Sequence, residues 1–370
     1  MGNFKYAIIG SGAIGGYYGG KLAYAGNQVH FLLRSDYEHV RNHGLRVDSV
    51  SGGFILEKVN AYQSVSDMPV CDIILVCLKT TSNIILDQLL PKILHPDSVV
   101  ILLQNGIGEE EELKRKLPHI NIAGGLAFIC AEKIGQGHIA HIDYGKLTLG
   151  EYRMASNQVL EQVAQDFSMA GVNCKLTNNL SEARWQKLLW NIPFNGLSTL
   201  LNANTKQLLG STEIKQMIHG IMLEIIHGAS HCGVQMKIEH IQNMLEYTEK
   251  MKPYFPSMKI DYDNRRPLEV ESIYSRPIRE AAKSGAKMLM VSMLEKQLRF
   301  FQSQILNPYS CETDPFVSEP DLVQPSFMPE EPQQQDTGKQ SFSIQDEELN
   351  EKMPYTAFDK QADEIGNNDN

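Results

Sequence analysis

A glycine-rich segment near the start of the chain has the residue types and spacing that bind phosphate. It runs Gly10-Ser11-Gly12-Ala13-Ile14-Gly15, between an apolar stretch and an amphipathic one with helical periodicity. In that setting Gly10 permits a tight turn, Gly12 lets the backbone approach a pyrophosphate, and Gly15 lets the helix pack closely on the strand. Free N–H groups at the start of the helix would bind the phosphates. We predict a dinucleotide-binding turn, with a glycine turn that binds no ligand as the alternative.

Arg34 indicates which dinucleotide this turn would hold. About 20 residues past such a loop, an NAD enzyme usually places Asp or Glu against the ribose 2′-hydroxyl. This chain has Arg34 at that place, followed closely by Asp36. Because a guanidinium binds a 2′-phosphate through two hydrogen bonds, the sequence favours NADP(H) over NAD. The alternative is a surface ion pair between Arg34 and Asp36.

Lys187, Asn191 and Asn195 follow one another at intervals of four residues. On an α-helix they would form one polar stripe about 12 Å long, at about 1.5 Å per residue. An ammonium group and two amides in a row suit the binding and protonation of an oxygen atom. Trp185 and Leu188 put apolar bulk beside Lys187, which predicts a partly buried ammonium. The alternative is an ordinary solvated helix lysine.

Alternating strand and helix patterns fill the first 178 residues. Predicted strands cover residues 4–9, 28–33, 71–78, 98–103 and 120–128, and predicted helices cover residues 14–24, 83–94 and 109–117. This alternation predicts an α/β fold, with a Rossmann-type doubly wound parallel sheet over residues 1–178. Two further stretches, 45–59 around Gly52 and 138–149 around Tyr144-Gly145, are predicted as hairpins that only decorate the edge of the sheet.

Residues 179–307 lose the strand pattern and take on helical periodicity, most clearly at 181–194, 213–232, 238–251 and 269–284. They predict an all-helical second domain that carries the substrate and catalytic residues. His227 and His231 have the spacing of two metal ligands on a helix, but a third ligand with suitable spacing is missing. We therefore expect ordinary histidines on a helix face and no resident metal.

The last 63 residues, 308–370, carry the negative charge of the chain. They hold 15 acidic and 3 basic residues (net −12), whereas residues 1–307 have a net charge of +2 and the whole chain has −10. Rich in proline and glutamine and poor in large apolar groups, they predict a disordered acidic tail. The nearly neutral body offers no broad basic surface, so nucleic acid is not an expected partner.

Six cysteines lie in apolar stretches without the spacing of a metal site: Cys71, Cys77, Cys130, Cys174, Cys232 and Cys311. We predict free thiols in a reducing compartment. The N-terminal segment lacks the apolar stretch of a signal peptide, and the longest apolar runs are far shorter than the roughly 18 residues of a membrane span. The sequence thus predicts a cytoplasmic protein without a membrane partner.

Several separated motifs together resemble the ketopantoate reductase (2-dehydropantoate 2-reductase) family. Besides the glycine loop and Arg34, they are Leu78-Lys79, Gln104-Asn105-Gly106-Ile107-Gly108, Trp185-Gln186-Lys187-Leu188 with Asn191 and Asn195, and Ser257-Met258 with Asp261 and Glu269. The resemblance extends over about residues 4–305. It implies a Rossmann-type domain that binds NADP(H), followed by a helical domain.

The resemblance also implies roles for single residues. Lys187 would be the general acid, and Glu269 would be a second catalytic residue near the nicotinamide; the alternative for Glu269 is an ordinary residue in the first turn of a helix. The substrate would be held by Asn105, Lys187, Asn191, Asn195 and Ser257. The cofactor would be contacted by the glycine loop, Arg34, Lys79, Asn105, Glu269 and Cys130, the last in a loop whose length differs from the family pattern.

The chain departs from the family pattern in two places. Gly196 follows Asn195 where the family usually has proline, and Pro193 lies inside the presumed catalytic helix. Since proline removes a helix hydrogen bond, Pro193 predicts a kink that re-aims Asn195. The acidic tail is the other departure.

The function implied by the resemblance is the NADPH-dependent reduction of 2-dehydropantoate to (R)-pantoate, on the route to pantothenate and coenzyme A. One alternative is a reductase of another branched 2-keto acid. Another is a non-catalytic NADP-binding sensor or scaffold that uses the tail to recruit a protein partner. For the tail itself, a solubilising spacer and an export signal also remain open. The sequence does not distinguish a monomer from a homodimer.

Overall fold

The computed structural model describes residues 4–154 and 157–306. The strands within these residues are β1 (Lys5–Ile9), β2 (Gln28–Leu32), β3 (Leu45–Ser49), β4 (Phe54–Leu56), β5 (Asn60–Tyr62), β6 (Ile73–Val76), β7 (Val99–Leu102), β8 (Asn121–Gly135), β9 (His138–Arg153) and β10 (Cys174–Thr177). They form one sheet in the order β4-β3-β9-β8-β7-β6-β1-β2-β5, and β10 pairs with β9.

The centre of the sheet is the predicted Rossmann-type unit. Strands β7, β6, β1, β2 and β5 are parallel neighbours, and β8 joins β7 in parallel as well. Every residue of β6 and β7 is buried, because apolar side chains pack against both faces of the sheet. Strands buried on both faces have continuous apolar sequences instead of alternating ones, and that pattern had predicted them.

The stretch around Tyr144-Gly145 is not a hairpin turn, so this prediction was wrong. Residues 138–153 form the single long strand β9, which pairs antiparallel with β8, and the turn between the two lies at residues 136–137. Tyr144 and Gly145 both have positive φ, at 62° and 104°, and Gly145 is an extra residue in the pairing with β8. A β-bulge uses the same residue types as a turn, and this explains the error. The predicted hairpin at residues 45–59 is confirmed as β3 and β4.

The α-helices in the described residues are α1 (Ala13–Tyr24), α2 (Tyr37–His43), α3 (Leu86–Leu89), α4 (Glu109–Lys116), α5 (Gln158–Met169), α6 (Leu180–Trp190), α7 (Gly196–Leu201), α8 (Thr205–Gly210), α9 (Thr212–His231), α10 (Glu239–Glu249), α11 (Ser257–Asp263), α12 (Arg276–Lys283) and α13 (Leu289–Leu306). From α6 onward they bury one shared apolar core. The predicted helix at residues 83–94 is instead a series of short 3₁₀ and α segments, which include Pro91.

The change from sheet to helix falls between β10, which ends at Thr177, and α6, which begins at Leu180. We keep the predicted division into residues 1–178 and 179–307 as a proposal. The predicted disordered tail, residues 308–370, lies outside the described residues, and so does Cys311. In residues 4–154 and 157–306, no helix combines the length and apolar character that a bilayer crossing needs.

Candidate active site

A cleft of about 740 Å³ runs along the carboxyl ends of the parallel strands and reaches α6 and α11. This edge of an open sheet is where such folds bind ligands. Most of the predicted site residues line it: Gly10, Ser11, Gly12, Ala13, Ile14, Arg34, Lys79, Asn105, Cys130, Lys187, Asn191, Ser257 and Glu269. Gly15 and Asn195 are not among the lining residues.

The glycine loop has the geometry that its sequence predicts. Gly10 has φ 99°, and a Cβ there would lie 2.7 Å from the amide nitrogen of Leu78. A Cβ on Gly12 would meet no atom within 4 Å, so the backbone faces open space in the cleft. A Cβ on Gly15 would lie 2.3 Å from the carbonyl oxygen of Gly10, so this glycine serves the packing of α1. Ser11 ties the loop to β2 by donating to the carbonyl of Leu32 at 3.1 Å.

At the outer end of the cleft Arg34 is exposed, and none of the hydrogen bonds or ion pairs found in residues 4–154 and 157–306 involves it. The predicted alternative, a pair between Arg34 and Asp36, is wrong. Asp36 is buried and binds Lys133 Nζ at 2.5 Å and the amide of Gly137 at 3.0 Å. Burial alone would raise the pKa of Asp36, but these two partners hold it below its usual value. Arg34 is thus left available for an anion.

Lys187 lies at the inner end of the cleft, on the last turn of α6. Trp185 and Leu188 are buried beside it, and the predicted alternative of a solvated lysine is wrong. Its Nζ donates to the carbonyl oxygen of Ala127 at 2.9 Å. Burial lowers the pKa of Lys187 to about 7, and the positive charge of Arg184 acts in the same direction. An amine with this pKa gains and loses a proton near neutral pH.

Glu269 is a buried carboxylate that joins three parts of the cleft. It accepts hydrogen bonds from the Thr80 amide at 2.9 Å, from Thr80 Oγ1 at 3.1 Å and from Asn105 Nδ2 at 3.4 Å. Lys79 Nζ lies 3.4 Å from its Oε2. Burial alone would raise the pKa of Glu269, but Lys79 and these donors lower it, so the group is ionised. Its charge raises the pKa of Lys187, against the effect of burial.

A second buried carboxylate, Asp261, shares Lys79 with Glu269. The Lys79 Nζ to Asp261 Oδ2 distance is 2.7 Å. Although burial alone would lower the pKa of Lys79, the two carboxylates raise it above its usual value. Lys79 therefore stays charged. The sequence analysis included Asp261 in a family motif but assigned it no role. The residues near Asp261 in the sequence do not indicate that α11 packs near the end of β6.

The polar stripe is interrupted by a π-helical turn over Asn191–Asn195, which contains Pro193. Proline has no N–H to continue the α-helical pattern, and a π turn shifts the following residues by one position. Asn191 is buried at the cleft, and its Nδ2 has no hydrogen-bond partner within the described residues. Asn195 is turned away and accepts from the amide of Met258 at 3.2 Å. The three side chains thus do not form the single stripe that α-helical spacing predicts.

The sequence carries family signatures in both halves. Residues 6–154 match the model described as ketopantoate reductase PanE/ApbA, and residues 179–302 match the model of its C-terminal part. The chain belongs to the ketopantoate reductase family. A 2-dehydropantoate 2-reductase of Nostoc sp. is 48% identical over 309 residues, which are 82% of this chain and 97% of that protein.

Solved structures of the ketopantoate reductase family are similar to this one. The crystal structure of 2-dehydropantoate 2-reductase from Geobacter metallireducens has 38% sequence identity and a TM-score of 0.77, and the match covers 80% of this chain and 99% of that one. The structure of a dimeric ketopantoate reductase from Staphylococcus aureus has 21% identity and a TM-score of 0.70, covering 81% of this chain and 99% of that one. This second likeness shows the fold alone.

Two more residues of this ketopantoate reductase family member complete the predicted set. Ser257 follows Pro256 and begins α11, which brings it into the cleft. Cys130 lies in β8 and lines the cleft, and burial raises the pKa of its thiol to about 12, so the thiol is neutral. Lys133, three residues further along β8, also lines the cleft and was not predicted. No local pattern could have identified it, because its partner Asp36 is distant in sequence.

Proposed function

We propose that this chain catalyses the NADPH-dependent reduction of 2-dehydropantoate to (R)-pantoate, a step of pantothenate and coenzyme A biosynthesis. The observation that carries the proposal is Lys187, a half-buried amine with a pKa of about 7 that shares one cleft with a dinucleotide-type glycine loop. Membership of the ketopantoate reductase family and the Nostoc relative support the same reaction.

The cleft suits NADPH on its own geometry. The open backbone at Gly12 and the N-terminus of α1 can accept a pyrophosphate. Arg34, which has an exposed guanidinium, is placed to bind the 2′-phosphate. Lys79, Asn105 and Cys130 line the wall between this end and Lys187. We propose that they contact the inner half of the cofactor.

Lys187 is proposed as the general acid. NADPH, when bound, supplies the hydride that reduces the C2 ketone. Lys187 donates a proton from Nζ to the oxygen of that ketone and is left as a neutral amine, which regains a proton from water. The hydrogen bond to the Ala127 carbonyl fixes the direction of the ammonium. Glu269 favours the ammonium through its negative charge and orients Asn105.

Polar groups beside Lys187 are proposed to hold the 2-keto acid. The Asn191 amide has a buried Nδ2 without a partner in the described residues, so a substrate oxygen would satisfy it. Ser257 and Asn105 line the same region. For Asn195 we propose an indirect role, because its side chain holds the backbone of Met258 next to Ser257.

A panel of 2-keto acids tests the reaction. The full chain is mixed with NADPH and either 2-dehydropantoate, 2-oxoisovalerate or pyruvate, and the loss of NADPH absorbance is followed. We expect the highest kcat/KM with 2-dehydropantoate. Higher turnover of 2-oxoisovalerate would favour the alternative of another branched 2-keto acid. NADPH binding without turnover of any acid would favour the non-catalytic sensor or scaffold.

Three finer points are proposals with their own tests. A homodimer is suggested by the dimeric relative, and sedimentation equilibrium of the full chain would detect it. A cytoplasmic location follows from the predicted free thiols, and fractionation of cells would test it.

For residues 308–370 we propose a spacer, with a protein partner as the alternative. Deletion of these residues should leave NADPH oxidation unchanged, and loss of a bound protein would favour the partner.

A further inference from the structure

Asp36 raises a question about the choice of cofactor. It lies two residues after Arg34 and lines the same end of the cleft. A carboxylate near this place is what NAD-binding folds use to bind a ribose 2′-hydroxyl, and it repels a 2′-phosphate. An unpaired Asp36 would therefore oppose the preference for NADPH that Arg34 indicates.

In the structure both oxygens of the Asp36 carboxylate have hydrogen-bond partners. Lys133 Nζ lies 2.5 Å from Asp36 Oδ1, and the amide of Gly137 donates to Oδ2 at 3.0 Å. Ser35 Oγ donates to Oδ1 at 3.1 Å. The side chain of Asp36 is 6% exposed, whereas that of Lys133 is 30% exposed. The pair is thus enclosed on the carboxylate side and open on the ammonium side.

Apart from the adjacent Ser35, the partners of Asp36 come from one distant hairpin. Lys133 lies near the end of β8, and Gly137 lies in the turn that leads into β9. The turn is held at the same place by a second contact, since the amide of Arg46 donates to the carbonyl of Gly137 at 2.8 Å. The β8–β9 hairpin therefore covers the carboxylate and brings an ammonium group to the wall of the cleft.

We propose that Lys133 is a specificity residue for NADPH, which acts by neutralising Asp36 beside Arg34. The inference rests on the proposed function, because it takes Arg34 as the site of the 2′-phosphate. With Lys133 in place, Arg34, Asp36 and Lys133 together carry a net charge of +1. Without it the net charge is zero, and the negative charge of Asp36 beside Arg34 is uncompensated.

Direct binding measurements with the full chain test this proposal without any keto acid. NADPH and NADH are titrated separately into the wild type and three variants, Lys133→Met, Asp36→Asn and the double variant, and nucleotide fluorescence is followed. Lys133→Met should weaken NADPH binding by roughly fivefold or more, which is the effect expected from the repulsion between one unpaired carboxylate and a phosphate near water. It should not weaken NADH binding. Added salt should reduce this difference.

The double variant distinguishes an electrostatic role of Lys133 from a structural one. Removing Asp36 as well should restore the preference for NADPH, because no carboxylate is left to repel the phosphate. Asp36→Asn alone should keep at least the wild-type preference. An equal loss of NADPH and NADH in Lys133→Met, or a double variant that stays impaired for NADPH, would overturn the proposal in favour of a structural role for the pair.

Arg34→Gln separates this inference from the proposed function. If Arg34→Gln leaves NADPH binding unchanged, the proposed position of the 2′-phosphate is wrong and Lys133 loses its role with it. If Arg34→Gln weakens NADPH binding but Lys133→Met does not change the ratio of the two affinities, only the inference about Lys133 is overturned.

Discussion

The proposed phosphate-binding cation and the proposed acid, at the two ends of the cleft, have different surroundings. At the outer end Arg34 is exposed, and the ammonium of Lys133 is open to water on one side. At the inner end the amine of Lys187 is half-buried, and the carboxylates of Glu269 and Asp261 are buried and pair with Lys79, whose side chain is 42% exposed. Water and salt screen the exposed cations at the outer end, whereas at the inner end burial shifts the pKa of Lys187.

This difference suggests that the two halves of the reaction depend on different conditions. Recognition of a phosphate at Arg34 should depend on ionic strength and little on pH above neutrality. Proton donation by Lys187 should depend on pH and little on salt, since its pKa is set by burial and by Arg184. Three predictions test this contrast.

The largest effect is expected at the inner end. Lys187→Ala removes the proposed proton donor and should lower kcat by about 10²- to 10⁴-fold, the usual contribution of a general acid. NADPH binding should be nearly unchanged, because the outer end is intact. Steady-state kinetics and NADPH titration measure the two quantities. Lys206→Ala, at an exposed position on α8, is the control. Near-normal kcat in Lys187→Ala would remove the acid role.

A smaller effect is expected at the outer end. Arg34→Gln removes a charge-assisted contact worth about 1.5–3 kcal/mol and should weaken NADPH binding by roughly 10- to 100-fold, with NADH much less affected. The loss should shrink as salt is added, and kcat at saturating NADPH should stay close to normal. Titrations at low and high salt measure this, with the exposed Arg41→Gln as control. A loss independent of salt would contradict a screened contact.

The smallest effect concerns the pH dependence of the inner end. The proposed proton donation uses the ammonium form of Lys187, so kcat/KM should fall as the pH rises through about 7. Arg184 is one turn before Lys187 and is ion-paired with the buried Glu110. Glu110→Gln leaves the charge of Arg184 without its partner and should move the fall to lower pH, whereas Arg184→Met should move it to higher pH.

Profiles of kcat/KM between pH 6 and about 9 would show these shifts, which we expect to be a fraction of a pH unit. A merely structural role of the ion pair would lower activity in both variants without moving the two profiles in opposite directions. Shifts of the same sign would therefore contradict the electrostatic link between Arg184 and Lys187.

Sequence reasoning placed the candidate residues correctly where their positions depend on neighbours in the chain. The glycine loop and Arg34 lie within one strand-helix-strand unit, so their spacing fixes their positions. The single polar stripe failed at Asn195, whereas the expectation that Pro193 re-aims this side chain is borne out by the π turn. The partner of Asp36 was also missed, because Lys133 is 97 residues away and reaches it only through the fold of the sheet.

The regular course of β8 has a consequence for distances along the cleft. The Ala127 carbonyl binds Lys187 and the Lys133 side chain binds Asp36, and both residues belong to β8. The extra residues Ile142 and Gly145 fall in β9, so the six steps of β8 from Ala127 to Lys133 stay in extended register. At about 3.3 Å per residue, they span roughly 20 Å. This strand therefore fixes the separation between the Asp36 end of the cleft and Lys187.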